Sequence, residues 1–329
     1  MDLELDGILN ILCFGESSGG INISVSGGTG AYTYAWTGPS GFTSTSQDIS
    51  AIPAGLYNVT VTDANGCFKE LTDISVSQPA SGIVVSLLNV VDPKCHDSTD
   101  GRIEIQIGGG NPAYVIRWEK ETTPGIFTPI SGTTQTLSNI GEGTYKVIVT
   151  DANSCSSELE VTVNAPDPLL VSLVSKDEVS CFGRNDGRIS INVTGGTGVY
   201  FFAWDHGFIN QNPNNLAAGF YSVTVRDANG CTFRLENIEI TQPDPLEINL
   251  INISAPTCAY TDGSIEVAYV GWVPGLSYNR WIDLSTNTQI AENTTTVTGL
   301  KPGFYRVEYS LAGACMVTQT YNVPGPKNP

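Results

Sequence analysis

One frame recurs four times along the chain. Cys13, Cys95, Cys181 and Cys258 are each followed 23 residues later by a tryptophan: Trp36, Trp118, Trp204 and Trp281. Cys67, Cys155, Cys231 and Cys315 are each preceded ten residues earlier by a tyrosine: Tyr57, Tyr145, Tyr221 and Tyr305. Between the Trp and the Tyr the interval varies, at 21, 27, 17 and 24 residues. Each copy therefore has two fixed ends and a variable loop or edge region in its middle. Self-similarity at such a period marks tandem structural units. Closing prolines at Pro79, Pro166, Pro243 and Pro324 place the copies at 1–79, 80–166, 167–243 and a divergent 244–329.

The local pattern is that of β-strands. Ile103, Ile105 and Ile107 alternate with Glu104 and Gln106, and Ile189, Ile191 and Val193 alternate with Ser190 and Asn192. Tyr57, Val59 and Val61 face away from Asn58, Thr60 and Thr62. A period of two belongs to half-buried strands. Gly27-Gly28-Thr29-Gly30 and Asp63-Ala64-Asn65-Gly66, with their counterparts at 195–198 and 227–230, supply the residues that tight turns require. The expected fold is all-β, with four tandem Ig-like β-sandwiches. The four framed tryptophans and four framed tyrosines are the expected core. The Trp lies farther from the first Cys than in antibody domains, so sandwich architecture is expected without antibody topology. The prolines leave little slack between copies, which predicts an extended rod on the order of 130–160 Å long.

Eight cysteines in this frame predict one disulfide inside each copy: Cys13–Cys67, Cys95–Cys155, Cys181–Cys231 and Cys258–Cys315. Closing roughly 55 residues would restrict the unfolded chain by about 4 kcal/mol. Disulfides place the chain in an oxidising compartment.

Lys and Arg total 15 against 33 Asp and Glu, a net charge of −18. Nucleic acid and anionic membranes need a basic patch, so neither is an expected partner. No apolar run reaches the roughly 18 residues of a membrane-spanning helix. The start, Met1 to Asp6, lacks the basic and apolar regions of a signal peptide. If exported, the chain is expected to be an internal piece of a longer protein.

No catalytic site is expected. His96 and His206 are the histidines, and a triad drawn from His206 and Asp205 has nothing to place its nucleophile. No two cysteines have zinc-finger spacing, and the glycine runs lack the Lys-Ser/Thr of a phosphate loop. Calcium is the one candidate cofactor, and none is required. Asp100, Asp186 and Asp262 recur at one place and Asp63, Asp151 and Asp227 at another. Ser18 and Leu311 break the two series. Such aspartates also build turns without an ion. Trp272 lies off the repeat, in Val270-Gly271-Trp272-Val273-Pro274-Gly275, where it could contact a ligand or fold over the domain end.

Several motifs together carry a family likeness. They are Cys-Phe-Gly (13–15, 181–183), Asp-Gly-Arg-Ile (100–103, 186–189), Gly-Gly-Thr-Gly, Ala-Gly-x-Tyr (54–57, 218–221), Val-Thr-Val-x-Asp-Ala-Asn-Gly-Cys (59–67, 223–231) and Gln-Pro (78–79, 242–243). The chain resembles the SprB repeat of gliding-motility adhesins and other large surface proteins of the Bacteroidota, over essentially its whole length. Copies 1 and 3 match best, and copy 4 loses Asp-Ala-Asn-Gly. The resemblance implies export by the type IX system, an extracellular cell-surface location and a role in adhesion or gliding, with no catalytic residues. It leaves three readings: a stalk segment of a large adhesin, repeats that bind surface polysaccharide or substratum, or the accessory region of a secreted hydrolase. Asp97-Ser98-Thr99 resembles the short O-glycosylation motif of that phylum.

Overall fold

The computed structural model describes residues 1–258, 261–271, 275–311 and 315–326. Copy 1 contains β1 (Asp2–Leu9), β2 (Gly19–Ser26), β3 (Thr33–Thr37), β4 (Thr43–Ser44), β5 (Ile49–Ile52), β6 (Gly55–Thr62) and β7 (Phe68–Val76). They form two antiparallel sheets, β1-β2-β5 and β4-β3-β6-β7. Copy 2 repeats the plan with β8 (Val84–Val91), β9 (Gly101–Gly108), β10 (Val115–Thr123), β11 (Ile126–Ile130), β12 (Thr136–Ile140), β13 (Gly143–Thr150) and β14 (Ser156–Val163), as sheets β8-β9-β12 and β11-β10-β13-β14.

Copy 3 has β15 (Leu170–Asp177), β16 (Gly187–Thr194), β17 (Phe201–Trp204), β18 (Asn214–Leu216), β19 (Gly219–Arg226) and β20 (Thr232–Ile240), as sheets β15-β16-β18 and β17-β19-β20. Copy 4 has β21 (Glu247–Ser254), β22 (Gly263–Val270), β23 (Ser277–Asp283), β24 (Thr288–Glu292), β25 (Thr296–Leu300), β26 (Gly303–Leu311) and β27 (Cys315–Val323), as sheets β21-β22-β25 and β24-β23-β26-β27. Lettered from A to G, copies 1, 2 and 4 pair A-B-E in one sheet and C′-C-F-G in the other. This is the Ig-like two-sheet plan without a D strand. The variable Trp-to-Tyr interval is where C′ sits. The shortest interval, in copy 3, has lost that strand.

Alternation buries one face of each strand. In copy 1, Ile21 and Ile23 of β2, Trp36 of β3, Tyr57, Val59 and Val61 of β6, and Ile74 and Val76 of β7 form one apolar cluster. Three further clusters repeat it around Trp118, Trp204 and Trp281. Burying an indole requires a partner for its N–H. Each framed Trp donates to a carbonyl in the approach to strand E: Trp36 to Ser46 at 2.9 Å, Trp118 to Thr134 at 3.0 Å, Trp204 to Asn210 at 2.9 Å and Trp281 to Thr294 at 3.2 Å.

The framed tyrosines open strand F, where the ring enters the core and the hydroxyl turns back. Tyr57 donates to the carbonyl of Pro53 at 2.8 Å, Tyr145 to Gly141 at 2.9 Å, Tyr221 to Ala217 at 2.9 Å and Tyr305 to Lys301 at 3.0 Å. This is the tyrosine corner of Ig-like sandwiches, present in all four copies.

The chain divides into two compact units, Met1–Asp167 and Pro168–Pro329, each holding two of the four cores. Among the described residues no helix is long and apolar enough to cross a membrane.

The expected disulfide inside each copy is overturned. Cys13 is bonded to Cys155, and Cys181 to Cys315. Cys95 and Cys231 are also disulfide-bonded, while Cys67 and Cys258 are free thiols. The reason is geometric. Cys13 lies in the A–B loop, where β2 begins, and Cys67 lies in the F–G turn, beside the loop where β2 ends. Eight residues of strand, about 26 Å at 3.3 Å each, separate the two ends of one sandwich. A disulfide needs Cα atoms within about 7 Å.

Candidate functional site

The joint between neighbouring copies is where the repeated motifs converge. In the first unit the A–B loop of copy 1 meets the F–G turn of copy 2. The Cα atoms of Cys13 and Cys155 lie 5.6 Å apart, and the Asn153 side-chain amide donates to the Leu12 carbonyl at 2.9 Å. In the second unit Cys181 and Cys315 repeat the arrangement, with Cα atoms 5.5 Å apart. Phe182, Pro243, Pro245, Leu246 and Met316 line a cleft of about 220 Å³ around that bond.

The motifs on either side hold these cysteines in place. Gly15 N–H donates to the Gln78 side chain at 2.9 Å, and Gly183 N–H to Gln242 at 2.8 Å. The Cys-Phe-Gly and Gln-Pro motifs are therefore two halves of one clasp, closing the A–B loop onto the end of strand G.

The two aspartate series anchor the two kinds of cysteine. Asp100 accepts the Lys94 N–H at 3.1 Å and the Ser98 hydroxyl at 2.6 Å. Asp186 accepts the N–H and hydroxyl of Ser180, and Asp262 those of Thr257 at 2.7 Å each. Lys94, Ser180 and Thr257 are the residues just before the first cysteine of copies 2, 3 and 4. The Ser98 hydroxyl, followed by the Lys94 N–H, holds the Asp100 carboxyl below the usual aspartate range. The Ser180 and Thr257 hydroxyls, followed by their N–H groups, do the same for Asp186 and Asp262.

At the opposite end, Asp63 accepts the N–H groups of Asn65 and Cys67 at 2.9 Å each and of Thr29 at 3.2 Å. Asp151 accepts those of Asn111, Asn153 and Cys155 at 2.9, 2.9 and 3.0 Å. Asp227 accepts those of Thr197 and Cys231 at 2.8 Å each. The carboxylate ties the F–G turn to the B–C loop and fixes the second cysteine. Burial pushes the Asp63 carboxyl up, but the N–H groups of Thr29, Cys67 and Asn65 together hold it below the usual range. The Asn111 N–H leads in lowering Asp151 against its burial, with those of Cys155 and Asn153 adding to it.

The Gly-Gly pair in the B–C loop belongs to the same device. Gly28, Gly110 and Gly196 have φ of +79°, +66° and +64°, and a Cβ at each would lie 3.2, 3.0 and 2.9 Å from the Asp63, Asp151 and Asp227 carboxylates. Glycine there supplies both the left-handed backbone and the space for the aspartate.

The six calcium candidates thus fall at opposite ends of the sandwich, one of each series in copies 2 and 3 and a single one in copies 1 and 4. No group of three or more acidic, Cys or His side chains that could hold a metal occurs among the described residues. Asp205 pairs with Arg234 at 3.0 Å, while the His206 ring packs on Tyr221 with centroids 4.5 Å apart. His96 Nδ1 lies 3.2 Å from the Pro166 carbonyl. Trp272 lies outside the described residues. Exposed aromatics fall on different elements: Phe14 and Phe182 in A–B loops, Phe68 at the start of β7, Phe220 in β19 and Phe304 in β26.

The SprB-repeat profile matches residues 8–41, 87–123 and 173–207, each running from strand A through the first cysteine to the framed Trp. The chain carries SprB repeats. The chain is also similar to the "Decoration protein" of Escherichia phage T5, at 41% identity over 64 residues. That match covers 17% of this chain and 39% of the phage protein's length. Among solved structures, the N-terminal eight Ig domains of Down Syndrome Cell Adhesion Molecule are 13% identical, with 98% of this chain and 57% of that one covered and a TM-score of 0.26. Three N-terminal domains of the bacteriophage RB49 Highly Immunogenic Outer Capsid protein are 12% identical, with 99% and 98% covered and a TM-score of 0.27.

Sequence reasoning missed the tyrosine corners, the Gln clasp and the aspartates' role toward the cysteines. A signal for the last was present, because Asp63, Asp151 and Asp227 each stand four residues before a second cysteine.

Proposed function

We propose that this chain is a stalk segment of a large exported adhesin at the cell surface, serving adhesion or gliding motility, with neighbouring repeats of the same kind as its partners. All four copies are read as SprB repeats, the last divergent, and none as catalytic. One observation carries the reading: within each unit the disulfide runs from the A–B loop of one copy to the F–G turn or the start of strand G of the next. A bond inside a copy protects that copy's fold. A bond across a joint bypasses the chain between its cysteines and so limits how far the segment lengthens when a copy unfolds, which is what a segment under tension needs.

Pulling the oxidised chain by its ends tests this. The covalent path bypasses the residues between Cys13 and Cys155 and between Cys181 and Cys315, separations of 142 and 134. Reduction should release roughly 450–500 Å of extension for each, at 3.3–3.6 Å per residue. Equal extension in both states contradicts the reading. The stalk also requires an extended string, for which the short proline-bounded junctions argue. A largest dimension above about 120 Å in small-angle scattering supports it, and one near 70 Å, as for a compact chain of this length, defeats it.

A further inference from the structure

Cys67 and Cys258 are the two free, exposed cysteines. Each is one half of a joint already seen complete in this structure. Cys67 occupies the F–G turn of copy 1 as Cys155 does in copy 2, and its N–H is held by Asp63 at 2.9 Å as that of Cys155 is held by Asp151 at 3.0 Å. Cys258 occupies the A–B loop of copy 4 as Cys181 does in copy 3, with Asp262 holding Thr257 as Asp186 holds Ser180. In both visible joints the bond joins an A–B cysteine to an F–G cysteine; none joins like with like. Phe68, next to Cys67, is 64% exposed and stands where Met316 lines the cleft beside Cys315.

We infer that Cys67 and Cys258 are complementary docking cysteines, each completing an A–B to F–G disulfide with a further repeat of this kind; a second copy of this chain, joined head to tail by a Cys258–Cys67 disulfide, supplies that repeat in the test. With oxidised glutathione as the oxidant, the Cys67 thiolate attacks the glutathione disulfide and expels one glutathione thiolate. The Cys258 thiolate of the second chain then attacks the Cys67 sulfur and expels the other. Two thiols lose two protons and two electrons, and one oxidised glutathione becomes two reduced molecules. The remaining Cys67 and Cys258 let further copies join in the same way.

The test uses the full chain, an equimolar mix of isotope-labelled and unlabelled protein, and oxidised glutathione. Wild type should give a ladder of dimers, trimers and higher species on non-reducing gels, with Cys67–Cys258 peptides of mixed label. These should exceed like-with-like peptides by about tenfold, a preference equivalent to about 1.4 kcal/mol of docking complementarity. Cys67→Ser alone and Cys258→Ser alone should stay monomeric, and mixing the two should restore a dimer that grows no further. Both side chains are exposed, so neither variant threatens the fold. Like-with-like bonds in equal share, single variants that dimerise as readily as the mixture, or thiols left unoxidised overturn the inference. A Cys67–Cys258 peptide carrying one label only, from monomer, overturns it too.

Discussion

The Asp151 carboxylate accepts the backbone N–H of Cys155 at 3.0 Å, so the residue that shapes the F–G turn also aims the cysteine that staples copy 2 to copy 1. The bond has a pH signature. The folded state holds Asp151, Asp63, Asp100, Asp186 and Asp262 below the ordinary aspartate value. Their stabilisation is present above the unfolded value of about 3.9 and lost as pH falls through the lowered folded values. Melting temperature should therefore hold near neutral pH and fall below about pH 4. Asp151→Asn should melt lower than wild type at pH 7, with the gap narrowing in acid. A gap constant down to pH 2 contradicts this account.

The tyrosine corner and the framed Trp should rank differently in a stability series. Trp204→Ala removes a buried indole and should cost about 3–5 kcal/mol. Tyr221→Phe keeps the ring and loses one hydrogen bond to Ala217, which should cost about 1 kcal/mol. Urea unfolding of both variants checks the order, and a reversal refutes the core assignment.

Gly196→Ala puts a methyl 2.9 Å from the Asp227 carboxylate and 3.1 Å from Leu169, at a φ of +64°. It should destabilise by about 1 kcal/mol or more. Gly207 also has positive φ but nothing within 4 Å, so Gly207→Ala should cost less. Equal losses, read by thermal melts, would leave only the backbone effect.

The strands, the two-sheet core and the eight framed aromatics were legible in the sequence because alternation and turn residues are local properties. Ile103-Glu104-Ile105 reads as a strand with no knowledge of its neighbours. Disulfide partners are not local. Every copy carries two cysteines at fixed frames, so the spacing is equally compatible with pairs inside and across copies. What decides is which end of the sandwich each cysteine occupies. In copy 1 Cys13 stands just before β2 begins, and Cys67 stands after β6, beside the loop where β2 ends. The aspartates were ambiguous for a related reason: a turn anchor and a metal ligand need the same side chain, and only the backbone N–H groups around it distinguish them.

Those N–H groups give a prediction about calcium. With Asp63, Asp151 and Asp227 already accepting two or three backbone donors each, metal removal should not matter. Excess chelator should leave the melting temperature unchanged, and added calcium should not raise it. A calcium-dependent rise would assign the aspartates to a cation instead.

The pairing of the cysteines can be read directly by non-reducing digestion and mass spectrometry of thiol-blocked protein. Linked peptides should contain Cys13 with Cys155 and Cys181 with Cys315, with Cys67 and Cys258 recovered as blocked thiols. Recovery of Cys13 linked to Cys67, or of Cys258 linked to Cys315, would put the staples back inside the copies and contradict the joint on which the stalk rests.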